Sequence, residues 1–144
     1  MSACVIDASA VLAFLFNETG AEVAEDWMDR GAAISTANVQ EVLAKLVDKA
    51  IQKGEPIEDA HRAAVENLDS LVLDVVDLTM DDAMQAAAFV PFQKTGNLSA
   101  GDRCCLALGR RLGLPTVHAE QKWQPLADQL GVELVLIRDP EGTH

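Results

Sequence analysis

Asp7 stands inside the apolar run "SACVIDASAVLAFLF". A carboxylate there costs free energy unless the fold or a reaction uses it. Three further acids fall where elements begin or end: Glu41 after the strand-like "AAIS", Asp102 in "GDRCCLALGRRLG", and Glu120 two residues beyond "TVH". Carboxylates gathered into one pocket repel and raise one another's pKa, which destabilises a fold unless a cation compensates. An all-oxygen donor set selects Mg2+ or Mn2+, and Mg2+ keeps several waters in such a site. That chemistry activates water and stabilises charge developing on a phosphodiester during in-line displacement, so nucleic acid is the natural substrate class. Each acid alone has a plainer reading. Asp102 suits a helix start, Glu120 a surface loop, and Glu41 the first turn of a helix, where the dipole favours it. Ser9 could hold a metal-bound water or a phosphate oxygen, or cap its own helix.

The elements that must position these acids follow from the apolar pattern. Cys4 to Ile6 predicts a short strand and Ala8 to Phe16 a helix that stops at "NETG". Glu22 to Asp29 reads as a helix and "AAIS" as a buried strand. From Asn38, the residues Val39, Val42, Leu43, Leu46, Val47 and Ile51 recur on one helical face until Gly54 and Pro56. Ile57 to Leu68 predicts another helix and "LVLDVVDL" a strand; Thr79 with Asp82 has the form of a cap for a helix through Phe92. "QKTGNLSAG" reads as a polar loop, Asp102 to Leu112 as a helix, and "TVH" and "VELVLI" as the last strands. Apolar strands alternating with helices predict an α/β fold: a central parallel sheet of about four to five strands, covered by helices on both faces. Ligands in such sheets sit beyond the carboxyl ends of the strands, where Asp7 falls.

The 144 residues are 49% apolar, enough for one core, and no linker or repeat divides them, so one domain over 1–144 is expected. The opening run is too short and acidic for a membrane span and lacks a positive leader, which points to a cytoplasmic protein with no membrane partner. Cys4, Cys104 and Cys105 form neither an even framework nor a CxxC pair, in keeping with a reducing compartment. A net charge of -12 argues against a protein that coats nucleic acid by bulk electrostatics, though not against an enzyme that cuts it.

With these residues in view, "VIDASAVLAFLF", "STANVQEVLAKL", "LSAGDRCCLALGRRLGLP" and "VHAEQKW" resemble the PIN-domain nucleases, specifically the VapC-type toxins of bacterial toxin–antitoxin pairs. The resemblance runs from Val5 to about Ile137. It implies a PIN-like fold, Mg2+- or Mn2+-dependent endoribonuclease activity on tRNA or rRNA, a homodimer, and inhibition by a cognate antitoxin. Asp7, Glu41 and Asp102 match the family's acidic positions; at the fourth, His118-Ala119-Glu120 replaces the usual Thr-Ala-Asp. The longer Glu120 side chain can still reach a metal directly or through water.

Lys45, Lys49 and Lys53 follow Glu41 at four-residue intervals, and Arg103, Arg110 and Arg111 follow Asp102; either set could track phosphates, or form a solvated face. His118 could contact phosphate or metal, or pack at the strand end. Met80, Met84, Ala86, Ala87, Ala88 and Phe89 form a helix that could pack against a second copy or within the monomer. Two rivals remain. Phosphatases of the haloacid dehalogenase type also begin with a strand ending in aspartate, but need a second aspartate where Ser9 stands. A PIN-fold binding module weakened in catalysis by its fourth motif would bind antitoxin without turnover.

Overall fold

The computed structural model describes residues 1–138. Five parallel strands form one sheet: β1 (Cys4–Ile6), β2 (Ala32–Ser35), β3 (Leu73–Val76), β4 (Thr116–His118) and β5 (Leu134–Leu136). Their order is β3-β2-β1-β4-β5, so the chain builds outward from β1 first on one side and then on the other. Val5 lies opposite Ala33 of β2 and Thr116 of β4. β1, flanked on both sides, has no solvent exposure at any residue. Strand side chains alternate between faces, and the core divides accordingly. Cys4, Ile6, Ala32, Ile34 and Val117 join one cluster, whereas Val5 and Ala33 join another with Cys105 and Leu108. Full burial of a Val or Ile side chain stabilises by roughly 1.5–3 kcal/mol, so this central pair of layers anchors the fold.

On the first face lie α1 (Ala8–Leu15), α2 (Ala21–Arg30) and α3 (Thr36–Gln52), with α4 (Ile57–Asp69) packed on α3. On the second lies α7 (Ala100–Leu112), backed by α5 (Met80–Ala88). Residues 105–109 of α7 are all buried. A Cβ at Gly109 would overlap the Thr116 hydroxyl, so glycine lets α7 approach the base of β4. Arg111 reaches back from α7 to grip the buried Asp82 of α5 with two hydrogen bonds, 2.7 and 3.0 Å. Met80 and Met84 remain exposed on the outer side of α5, while Ala86 and Phe89 pack inward.

Several boundaries depart from expectation. "LVLDVVDL" contributes only Leu73–Val76 to the sheet; β3 is an edge strand in which Asp74 and Val75 are exposed while Leu73 and Val76 pack partly against the core. The helix begun at Thr79 ends at Ala88, and Val90–Phe92 continues as a 3-10 turn around Pro91, which has no N–H to extend a helical ladder. "QKTGNLSAG" is no plain loop. Gln93–Gly96 forms a helical turn, α6, ended by Asn97 in the left-handed conformation (φ 54°), and α7 already starts at Ala100. A 3-10 turn over Gln121–Leu126 and the short α8 (Ala127–Leu130) had no counterpart in the sequence reading. They close the end of the second face around the fully buried Trp123. Among the described residues no helix is long and apolar enough to cross a membrane.

Candidate active site

Asp7 follows β1 directly and caps α1, its Oδ2 accepting from the Ser9 N–H at 3.0 Å and the Ser9 hydroxyl at 2.6 Å. The same hydroxyl oxygen accepts from the Ala119 N–H at 3.1 Å. Ser9 thus ties the end of β1 to the end of β4, the two neighbours at which the sheet changes direction of growth. In sheets of this kind that switch point is where ligands bind.

Glu41 comes from α3, which begins at Thr36, so it lies in the second helical turn and not in the first as the sequence suggested. Its support is lateral. The fully buried Asn38 amide donates to Glu41 Oε1 at 2.7 Å and to the Gly101 carbonyl at 3.0 Å, bridging α3 to α7. A Cβ at position 101 would overlap the Glu41 carboxylate. Asp102 is the third residue of α7 in a capping box: the Asp102 N–H donates to Ser99 Oγ at 3.1 Å and the Ser99 N–H to Asp102 Oδ2 at 2.9 Å. Its helix-start role is thus observed, and it does not exclude a place in the candidate site, whose cleft Asp102 also lines. Glu120 follows β4 and is exposed. All four acids, with Ser9 and Lys45, line one cleft of about 350 Å³ at the carboxyl edge of the sheet.

The electrostatics match a gathered set of acids. Burial, and then the Asp102 charge, push the Asp7 carboxyl up to about 7 against the opposing hydrogen bonds from Ser9; Glu41 adds to the rise. Burial also raises Glu41, helped by Asp102 and offset by the Asn38 hydrogen bond and Lys45. Burial raises Asp102 against its Ser99 bonds and the Arg103 charge. Beneath them, the Cys105 thiol is pushed far up by burial and then by Asp7, so it stays protonated and inert as a nucleophile.

Among the described residues, no group of three or more His, Cys, Asp or Glu side chains is drawn together tightly enough to hold an ion as it stands. Asp7, Glu41 and Asp102 each turn one oxygen onto a protein donor. The Asp7 Oδ1 atom, by contrast, is buried and has no hydrogen-bond partner. A buried orphan oxygen on a carboxylate, in an all-oxygen donor set facing one cleft, fits a hard divalent cation.

The cationic candidates divide. Lys45 lines the acidic cleft, whereas Lys49 places its Nζ 3.9 Å from the centre of the Phe16 ring, beside a separate cleft that also takes Lys53. Arg103 Nη1 donates to the Ala86 carbonyl at 3.4 Å, and Arg110 is exposed. Arg111 is withdrawn by Asp82 and is not a free phosphate contact. His118 is likewise corrected to a packing residue. It has no exposure, stacks on Trp123 at 4.5 Å, bonds Gln124 through Nε2 at 2.7 Å and accepts the Glu120 N–H at Nδ1. Burial pushes it down to about 4, so it is neutral near pH 7 and cannot reach phosphate. Asn38 and Gly101 were not singled out by sequence. The available signal was that Asn38 shares the inward stripe with Val42, the other buried residue of α3.

A doubly covered parallel sheet with carboxylates at its switch point defines an α/β protein with an acidic cleft. The chain belongs to the PIN domain family, whose sequence model matches residues 4–128. Comparison with curated proteins gives no match. Among solved structures, it is similar to a DNA-bound VapBC from Salmonella typhimurium (TM-score 0.67, 13% identity, 95% of this chain and 99% of that one). It is also similar to a toxin–antitoxin complex from Klebsiella pneumoniae (0.66, 14%, 94% and 98%). A third is VapC20 of Mycobacterium tuberculosis, a sarcin-ricin loop cleaving toxin (0.64, 17%, 85% and 93%). At these identities the likeness is one of fold.

Proposed function

We propose that the chain is the toxin of a toxin–antitoxin pair: a cytoplasmic Mg2+- or Mn2+-dependent endoribonuclease, acting as a homodimer on tRNA or rRNA and inhibited by a cognate antitoxin. The observation that carries the reading is Asp7, buried, with an orphan oxygen, at the head of a cleft lined by Glu41, Asp102 and Glu120. The fold it shares with VapBC toxins and with a sarcin-ricin loop cleaving toxin supports the substrate class and the antitoxin. The exposed Met80 and Met84 on α5 support a second copy as partner.

Asp7, Asp102, Glu41 and Glu120 would hold the metal, which when bound lowers the pKa of a water and offsets charge on the phosphoryl oxygens. The protein's own contribution is placement. Ser9 fixes the Asp7 rotamer and joins β1 to β4, Asn38 fixes Glu41 against α7, and the capping box fixes Asp102. Rigid support of this kind converts a flexible encounter into a near-attack geometry.

The test is cleavage of a total tRNA and rRNA pool with Mg2+ or Mn2+, with EDTA and Asp7→Asn as parallel controls. Discrete fragments absent from both controls are expected. Full cleavage by Asp7→Asn would sink the assignment. The exposed Glu120 and the open arrangement of the acids favour one second reading, a binding module without turnover. A folded protein that gains no thermal stability from excess Mn2+ would decide for it, since a site at a hundredfold saturation gains about 2.7 kcal/mol.

A further inference from the structure

A second cleft, of about 780 Å³, opens on the other side of Asp102. It is lined by Gln93, Lys94, Asn97 and Ser99 together with Val90 and Leu98, and Asp102 is the residue it shares with the acidic cleft. Side-chain amides, a hydroxyl and an ammonium are donors to phosphate and base edges, and the exposed Val90 offers an apolar surface for a base or sugar, whereas Leu98 is buried in the core behind it. In a chain of net charge -12, the cations that line these two clefts are Lys45 on one side of Asp102 and Lys94 on the other. Elsewhere Arg62, Arg111 and Arg138 are paired with carboxylates.

Building on the ribonuclease reading, we propose that a single strand of RNA crosses Asp102 from the Lys45 cleft into the Lys94 cleft. Lys94 holds a phosphate on the side of the cut away from Lys45, and the α6 turn with Asn97 shapes the wall that receives the adjoining nucleotide. Lys94 is exposed, so its replacement does not disturb packing.

The experiment measures the affinity of a short labelled single-stranded RNA at several salt concentrations, in the Asp7→Asn background to prevent cleavage. Lys94→Gln, Lys45→Gln and the remote Arg62→Gln are compared, each removing one charge. Lys94→Gln and Lys45→Gln are each expected to weaken binding severalfold and to lower the salt slope by about 0.7, as one phosphate contact on a single strand requires. In the active protein Lys94→Gln should raise KM and spare kcat, while Arg62→Gln leaves binding unchanged. If Lys45→Gln weakens binding and Lys94→Gln behaves like Arg62→Gln, the path over Asp102 is overturned and the ribonuclease reading stands. If the protein neither binds nor cuts RNA, the ribonuclease reading fails and this path falls with it.

Discussion

The Glu41 carboxylate occupies the space in which a side chain at Gly101 would begin. The clash is with the far end of a flexible side chain, so Gly101→Ala should displace Glu41 and leave α7 in place. Alanine is favoured over glycine in a helix by about 1 kcal/mol, so thermal stability should hold or rise. Cleavage should nevertheless fall about a hundredfold, as expected when a site residue is misplaced by an ångström. Melting curves and single-turnover rates on one preparation check the dissociation; a variant that melts early and a variant that cuts normally both contradict it.

The Asp7 carboxyl is raised from 3.8 to about 7, so its ionised form is the one the fold disfavours. Its contribution to stability is complete below about pH 4 and is lost as pH rises through about 7, on the order of 4 kcal/mol in the metal-free protein. Asp7→Asn keeps a competent N-cap and removes the charge. In EDTA near pH 8 it should be more stable than the parent, with the gap closing near pH 4; urea titrations at both pH values measure it. Mn2+ should stabilise the parent and not the variant.

How far the sequence could be read depends on the range of the interaction. Strand cores such as "AAIS" and "TVH" are written in consecutive residues, and the structure places them at Ala32–Ser35 and Thr116–His118. The cap at Thr79 and Asp82 was legible; the same pattern at Ser99 and Asp102 puts the start of α7 two residues before the expected one. The four acids could be proposed because Asp7, Asp102 and Glu120 lie at or just beyond a strand end or helix start and Glu41 one turn inside its helix, but the groups that aim them could not. Asn38 reaches Gly101 across 63 residues, and Ser9 reaches Ala119 across 110. Arg111 read as free because its partner, Asp82, sits on another helix.

That pair gives a contrast in burial. Asp82 is 2% exposed, and although burial pushes its carboxyl up, hydrogen bonds from Arg111 and Thr79 outweigh this and leave it lowered. Arg111→Ala strands a buried charge, and should destabilise by about 3 kcal/mol, reduced where solvent reaches the half-exposed guanidinium. Arg62→Ala breaks an exposed pair and should cost less than about 1 kcal/mol. Chemical denaturation of the two variants side by side tests the ranking. The lowered Asp82 value also means that this bond's stability is present above pH 4 and lost on acidification, so the two variants should converge in acid.

His118 stands where the family usually carries a hydroxyl; burial keeps its imidazole neutral against the opposing pull of the Gln124 hydrogen bond, with the ring stacked on Trp123 and accepting the Glu120 N–H. Its folded value, about 4, lies below the ordinary 6.5, so the unfolded chain takes up the proton first. The resulting stability is complete above about pH 6.5 and is lost as pH falls through about 4, opposite in sign to the effect of Asp7. His118→Phe keeps the stack and removes both ring hydrogen bonds, leaving the Gln124 carbonyl and the Glu120 N–H without partners. It should cost about 1–3 kcal/mol at neutral pH and flatten the acid limb of the stability curve. The parent imidazole should show no titration in NMR spectra between about pH 5.5 and 8; a midpoint near 6.5 would show that the ring is open to water and that Glu120 is not held by it.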